Sequence, residues 1–277
     1  HFRRLGSRPN WRSDPSRLDE VACIPDDALL QAHRIAKRNL LDFVKRSTGE
    51  TWDEDKLTVG FARRFATYKR GNLIFSDLDR LVEASGGGEV QFIFSGKAHP
   101  NDEPGKAIIS EVLKNAEKLK GRVRVAFLPD YDMREGMLMT AGADVWLNLP
   151  RRPLEASGTS GMKAALNGVP SFSTADGWWD EVPREAGGER RGGWTIGAEP
   201  REDDLVCPNT DAADFESFCA RLEENVRPAY ASPAEWARVM KGAIQNAAVF
   251  NSHRMVKEYI QRSYGLTLDE ARVQDRT

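Results

Sequence analysis

An α/β fold built on a doubly wound parallel sheet is what this sequence predicts, and three observations predict it. Nearly continuous apolar runs of strand length recur along the chain, amphipathic stretches separate them, and cations, glycines and hydroxyl residues cluster just past several runs. A strand covered on both faces needs apolar side chains at every position, so unbroken runs point to a parallel sheet with helices on each side. Such sheets bind ligands at the carboxyl ends of their strands.

The elements follow in order. After Pro25, Asp26 is a plausible N-cap, and Leu29, Ala32, Ala36, Leu40 and Phe43 recur at helical spacing, which predicts a packed connecting helix. Candidate strands are Leu57–Ala62, Val90–Ser95, Val123–Leu128, Asp144–Leu149 and Ser171–Ala175. Helical stretches are expected between them at Thr67–Glu83, Gly105–Leu119, Arg134–Ala141 and Met162–Asn167. Beyond Trp179 the texture changes. Gly187 to Gly193 reads as a mobile surface loop, because glycine-rich chain without apolar anchors gains little by ordering. A helical tail follows, with a capping box at Ser232-Pro-Ala-Glu235, apolar Trp236, Val239, Met240 and Ile244 on one side, and a second cap at Asn251 or Ser252 starting Met255 to Tyr264. The polar residues after Leu266 are expected to fray. No internal repeat or low-complexity segment is apparent.

Composition narrows the function classes. The 277 residues are enough for one large or two modest cores, and 40 basic against 42 acidic side chains leave a formal charge of −2. The two signs are interspersed, which argues against nucleic-acid and membrane partners. Cys23, Cys207 and Cys219 are odd in number, widely spaced and without a metal-ligand pattern. They read as buried structural thiols in a reduced, cytoplasmic setting, and no metal is expected. No apolar run approaches membrane-spanning length.

Two segments carry chemistry. Glu155-Ala-Ser-Gly-Thr-Ser-Gly-Met-Lys163 places small residues with free backbone N–H groups directly ahead of a lysine. Gly158 and Gly161 let the main chain approach a ligand, Thr159 and Ser160 add hydroxyls, and a helix starting at Met162 would aim positive partial charge at a phosphate. Lys163, one turn inside, has either a charge for a phosphate or an amine for an aldehyde cofactor. The plain alternative is a tight turn with an N-cap. The second segment, Arg63-Arg64-Phe65-Ala66-Thr67-Tyr68-Lys69-Arg70, follows the first strand and sets cations where such sheets bind ligands, or else forms a solvated basic helix face.

These residues bring a family resemblance with them. The chain resembles the carboxy-terminal half of the α-glucan (glycogen and maltodextrin) phosphorylases, their short prokaryotic branch most closely. Five blocks carry the likeness, in family order: Phe61 to Arg70, Phe94-Ser-Gly-Lys-Ala-His-Pro100, Asp130-Tyr-Asp-Met133, Val145-Trp-Leu-Asn148 with Arg151-Arg-Pro-Leu-Glu155 through Lys163, and Asp176-Gly-Trp-Trp179. A weaker match runs from His1-Phe2 to Asn251-Ser-His-Arg-Met255.

The resemblance implies a Rossmann-like domain, the carboxy-terminal one of a two-domain GT-B glycosyltransferase fold. It also implies retaining glucosyl transfer from α-1,4-glucan to inorganic phosphate, giving glucose 1-phosphate. Pyridoxal 5'-phosphate is the implied cofactor, tethered as a Schiff base to Lys163, with its phosphate rather than its aldehyde moving the proton. Arg64 and Lys69 match substrate-phosphate ligands and, with Lys163, make up the implied catalytic set. Arg63, Tyr131, Thr159, Ser160 and Gly161 fall where the cofactor is held, and Glu155, Ala156, Ser157 and Gly158 where glucosyl hydroxyls are bound. Guanidinium and ammonium groups make sense there, since two adjacent phosphate anions repel strongly until neutralised.

The expected organisation is a connecting segment and helix over residues 1–55, a cofactor- and phosphate-binding domain over 56–230 and a helical tail over 231–277. The chain starts at His1 rather than Met and does not include the family's amino-terminal half, so it reads as part of an enzyme. Departures from the family pattern are small: Leu149 where a second Asn is usual, Gly71 where Ala is commoner, and Ser160-Gly161 in place of the Gly-Asn of muscle-type enzymes. The preferred glucan, starch, glycogen or maltodextrin, is not legible, and a homo-oligomer stays open. Two rivals remain: a sugar-nucleotide glycosyltransferase of the same fold, which has no need of a lysine tether, and a non-catalytic glucan-binding remnant.

Other features read more plainly. Gly96-Lys97 and Gly105-Lys106 suggest a nucleotide-binding loop, but Pro100 stands at its first glycine position and Ala107 at its hydroxyl position, so that reading is rejected. His99 is taken as a hydrogen-bonded structural residue, and His33 and His253 as helix-surface or packing residues. Trp178 and Trp179 either stack on a sugar or plug a core. Asp176 and Glu181 are acid–base candidates by type alone.

Overall fold

The computed structural model of the protein describes residues 11–185, 189–198 and 209–265. Six strands form one sheet: β1 (Leu57–Ala62), β2 (Val90–Ser95), β3 (Arg124–Leu128), β4 (Val145–Asn148), β5 (Ser171–Thr174) and β6 (Gly193–Ile196). Their order is β3-β2-β1-β4-β5-β6, and every pairing is parallel. This is the strand order of doubly wound dinucleotide-binding sheets, in which the winding reverses between β1 and β4. Helices α1 (Asp26–Thr48), α2 (Leu78–Ala84), α3 (Glu103–Lys118), α4 (Met133–Gly142) and α5 (Thr159–Leu166) come before or between the strands. Helices α6 (Asp211–Arg221), α7 (Arg227–Ala231), α8 (Pro233–Val249) and α9 (Ser252–Glu258) follow β6.

The apolar runs are continuous because both faces of the sheet are covered. Successive side chains point to opposite faces of a strand. On β2, Phe92 and Phe94 join one core while Ile93 joins another, and on β4 Val145 and Leu147 divide from Trp146 in the same way. The first core holds Leu81 of α2, Val112 of α3 and Phe215 and Phe218 of α6, and the second holds Leu40 and Val44 of α1 and Met139 of α4. The five strands read from the sequence all form, each within a residue or so of the expected bounds.

Several local expectations are corrected. Thr67–Glu83 is not one helix but two 3-10 turns, Thr67–Lys69 and Leu73–Phe75, followed by α2. The chain is interrupted because Arg70 takes a left-handed backbone (φ 47°), Gly71 sits against the Phe65 ring, and Asp77 starts α2 by accepting from the N–H groups of Asp79 and Arg80. Asp26 does not cap α1. Pro25 holds that position, and Asp26 lies inside the first turn, where a carboxylate suits the helix dipole and where it accepts from Lys241 Nζ at 2.6 Å. Ser232 stands at the N-cap of α8 without a side-chain bond, so the capping box is not made. Asn251 does cap α9, accepting from Arg254 N at 3.0 Å.

Of the expected loop at Gly187 to Gly193, Gly187 and Gly188 lie outside the described residues. The remainder is not a free loop. Arg190 is buried and donates to the carbonyls of Asp180 and Val182, Gly192 is pressed against Ala243 of α8, and Gly193 opens β6. Cys219 is buried, and burial pushes its thiol up to about 12, whereas Cys23 is exposed, against the expectation. Cys207, His1, Phe2 and the residues after Leu266 lie outside the described residues.

At the amino end of the sheet a polar cluster fastens α1. Lys37 Nζ donates to Asp144 Oδ2 at 2.5 Å, to the Lys56 carbonyl at 2.6 Å and to Tyr230 Oη at 2.9 Å, while His33 Nε2 lies 2.8 Å from Asp144 Oδ1. Asp144 Oδ2 also accepts from Thr58 N at 2.7 Å, which ties the start of β1 to the residue that precedes β4. His33 is thus a packing residue on a buried carboxylate.

Candidate functional site

The carboxyl ends of β1 and β4 flank the point where the winding reverses, and side chains meet across it. Arg63 leaves the end of β1 and Asn148 closes β4, and Arg63 Nη1 donates to Asn148 Oδ1. Arg63 Nη2 donates to Glu155 Oε2 at 2.6 Å, and Lys69 Nζ donates to the same oxygen. All four side chains are buried, each less than a tenth exposed. Burial pulls the Arg63 guanidinium below its ordinary range and the Glu155 carboxylate works against it, so a planar cation is retained in a dry setting. Arg63 Nε is buried with no partner.

The segment carrying Glu155 is pinned from two sides. Asp176 Oδ2 accepts from Glu155 N at 2.9 Å, and Asp176 Oδ1 accepts from Gly177 N at 3.0 Å. Burial raises the Asp176 carboxyl above its usual range while those two bonds oppose the rise. Arg70, also buried, donates to the carbonyls of Leu149 at 2.8 Å and Pro150 at 3.0 Å, and pairs with Asp211 and Asp214 of α6. Asp176 was an acid–base candidate by type, and its place in the fold is that of a loop anchor. Glu181 is exposed.

Helix α5 starts at Thr159, three residues earlier than expected, on a left-handed Gly158 (φ 81°) with no side-chain cap. Thr159, Ser160 and Gly161 therefore form its first turn; Gly161 N donates to the Gly158 carbonyl at 3.0 Å, while the N–H groups of Thr159 and Ser160 have no acceptor within the helix. Ser160 Oγ accepts from Trp146 Nε1 at 3.3 Å. A side chain at Gly161 would put Cβ 2.8 Å from Trp178 Nε1, so glycine is needed for that close approach. Trp178 and Trp179 are both buried and set edge to face; Trp179 Nε1 donates to Thr195 Oγ1 at 3.2 Å and plugs the core, while Trp178 also lines a cleft.

Lys163 is exposed and lines a cleft of about 800 Å³ with Ala156, Ser157, Thr159, Trp178 and Phe250. The segment around Trp11 and the tail helices α8 and α9 supply much of the remaining lining. Arg63, Lys69 and Glu155 are not among its lining residues, so the fold gathers the sequence-derived candidates into two groups joined by the 155–163 segment. Tyr131, half-buried, stands before α4, with its phenol raised first by burial and then by Glu135 while Arg63 pulls it down. Arg64 and His99 are exposed. Among the described residues no group of His, Cys, Asp or Glu is arranged to hold a metal, and no helix is long and apolar enough to cross a membrane.

Residues 3–202 match the model of the carbohydrate phosphorylases. The chain belongs to this family. Relatives include the maltodextrin phosphorylase of Thermococcus litoralis, 43% identical over 91% of this chain and 31% of that protein. The glycogen phosphorylase of Aquifex aeolicus is 40% identical over 89% of this chain and 38% of its own. That of Mycobacterium tuberculosis is 41% identical over 77% and 25%. The chain thus spans about a third of the length of the first two relatives.

Asn148, Arg70 and Asp176 also make contacts at this junction that the local sequence does not announce. A polar residue closing an apolar strand marks Asn148 but not its partner. For Arg70 and Asp176 the partners lie far off in the chain, and only the fold reveals them.

Proposed function

We propose that this chain is the cofactor- and phosphate-binding part of an α-glucan phosphorylase, which transfers a glucosyl unit from α-1,4-glucan to inorganic phosphate with retention and releases glucose 1-phosphate. The observation that carries the reading is the paired cations, Arg63 and Lys69, buried at the switch point and converging on one carboxylate oxygen. Buried guanidinium and ammonium groups with little competing water suit an oxyanion, and this is where open α/β sheets bind ligands.

The donor set fits pyridoxal 5'-phosphate. A primary amine, Lys163, faces an open cleft, and the first turn of α5 offers the N–H groups of Thr159 and Ser160 and their two hydroxyls to a phosphate. Arg63 Nε, buried without a partner, is a further donor. In this reading Lys163 holds the cofactor covalently, and Arg63, Tyr131, Thr159, Ser160 and Gly161 surround its phosphate and ring. When bound, the cofactor supplies a phosphate group that gives and takes a proton. Lys69 and Arg64 neutralise and orient the substrate phosphate. Glu155 with Ala156, Ser157 and Gly158 binds glucosyl hydroxyls, and in the absence of ligand its carboxylate holds the two cations in place. Trp178 and Phe250 keep one wall of the cleft apolar and limit water there. The whole protein is proposed to be a two-domain GT-B enzyme of the cytoplasm, its glucan groove completed by polypeptide beyond this third.

The test uses the full-length protein loaded with pyridoxal 5'-phosphate. Borohydride reduction followed by peptide mass analysis is expected to place the cofactor on Lys163, and Lys163→Ala to abolish its retention. Maltodextrin and phosphate are expected to give glucose 1-phosphate, with Arg64→Ala and Lys69→Ala weakening phosphate use. Cofactor retained by Lys163→Ala, or glucan binding with no phosphate consumed, overturns the reading. Transfer from a sugar nucleotide would do the same.

A further inference from the structure

Glu135 is a buried carboxyl that the site above leaves unused. It lies in the first turn of α4, only 3% exposed, where its N–H donates to Asp132 Oδ1 at 2.8 Å. Its Oε2 stands 3.2 Å from Ser95 Oγ, and that same hydroxyl stands 3.1 Å from the Leu128 carbonyl oxygen. Its Oε1 is sealed from solvent with no partner.

Hydrogen counting decides the form this arrangement favours. A serine hydroxyl has one hydrogen, and a carbonyl oxygen can only accept. An ionised Glu135 would compete with Leu128 O for that hydrogen and, with only the Asp132 backbone N–H acting on it besides, would bury a charge with few bonds, a costly arrangement. A protonated Glu135 donates to Ser95 Oγ while Ser95 donates to Leu128 O, so each hydrogen is used once and only a neutral carbonyl oxygen is left over. The charged surroundings agree. Burial is the leading cause that raises this carboxyl, the charges of Asp132 and Asp130 on the loop before α4 add to it, and the Ser95 hydroxyl and the Asp132 backbone N–H oppose the rise without cancelling it. On the facing elements, Tyr131 is an un-ionised phenol, and Arg63 at the end of β1 acts on that phenol and is already paired with Glu155.

We propose that Glu135 is a positioning residue held as a neutral acid, which bridges α4 to the ends of β2 and β3 and keeps negative charge away from the Tyr131 and Arg63 side of the site, so that its ionisation weakens retention of a phosphorylated cofactor. The cofactor part rests on the function proposed above, whereas the protonation state does not. An un-ionised carboxyl here lets Tyr131 and Arg63 face a dianion without a competing anion beside them.

The experiment compares the full-length wild-type protein with Glu135→Gln and Glu135→Met, two neutral replacements of similar length. Pyridoxal 5'-phosphate affinity is measured from about pH 4.5, near the ordinary carboxyl value, to about pH 9. The wild type is expected to lose on the order of tenfold relative to either variant across that range, because only it can acquire the charge. Thermal midpoints without cofactor are read over the same range, and the variants' advantage is expected to widen as pH rises. Either variant suffices if the other does not fold. Parallel affinity profiles, or a thermal gap that does not change with pH, overturn the proposal. Failure of all three proteins to retain the cofactor at any pH overturns the cofactor reading and the electrostatic role with it, and the thermal gap then decides the protonation state alone.

Discussion

Lys69 and Glu155 lie 86 residues apart in the chain and form a buried ion pair at the carboxyl end of the sheet. Arg63 shares the same Glu155 oxygen, so one carboxylate balances two cations that have little access to water.

Removing that carboxylate leaves both cations buried and unpaired. Glu155→Ala is therefore expected to destabilise the protein by about 3–5 kcal/mol in urea unfolding, as for other broken buried pairs. Added inorganic phosphate should recover part of the loss in the variant, since an anion bound only by the folded state stabilises it. No phosphate-dependent recovery would count against an oxyanion site at these cations.

Gly161 and Gly158 shape the start of α5 in different ways. Gly161→Ala would drive Cβ to 2.8 Å from Trp178 Nε1, and overpacking of that kind costs about 1–3 kcal/mol. Gly158→Ala meets nothing closer than 3.4 Å but must hold a φ of 81°, at a cost of about 1–2 kcal/mol. Trp178 fluorescence should shift more in the first variant than in the second, whose new Cβ would only touch Trp178 Cδ1 at 3.4 Å.

Arg70 joins four partners that no lysine can span. Arg70→Lys loses the planar fork to Leu149 O, Pro150 O, Asp211 and Asp214, and is expected to cost about 2–3 kcal/mol. Because these bonds hold the chain leading to Glu155, phosphate-dependent stabilisation should also fall.

Asp144 supplies an acid-sensitive lock at the opposite end of the sheet. Burial pushes its carboxyl up, but Lys37 and His33 together outweigh burial and hold it below the ordinary value. A depressed folded pKa contributes stability that is fully present above the unfolded value of about 3.9 and is lost as pH falls through the folded value below it. Asp144→Asn should thus be less stable than wild type at neutral pH, with the gap narrowing only in strong acid. A gap that closes already at about pH 6 would contradict this assignment.

The strands were legible because a doubly covered strand advertises itself locally. Val90 to Ser95 and Leu57 to Ala62 are apolar at nearly every position, and both form where expected. Strand β6 escaped notice because Gly193-Trp-Thr-Ile196 is short, begins with glycine and follows a charged, glycine-rich stretch. The break in the Thr67–Glu83 stretch escaped because helical periodicity does not register a left-handed Arg70 or the contact of Gly71 with Phe65. Glu135 escaped because its sequence neighbours look like an ordinary helix start, and its meaning depends on Ser95 and Leu128.

By itself the sequence determined the strand runs, the small-residue segment ahead of Lys163, the basic block after β1 and the family these residues resemble, because all of these are properties of near neighbours along the chain. Tertiary structure alone decided that Arg63 meets Asn148 and Glu155, partners 85 and 92 residues away. The strand order places β1 beside β4 and their carboxyl ends together, and no local pattern encodes which strands become neighbours. Side chains that neutralise, bury and orient one another across that junction do so only once the crossovers have brought them within hydrogen-bond reach.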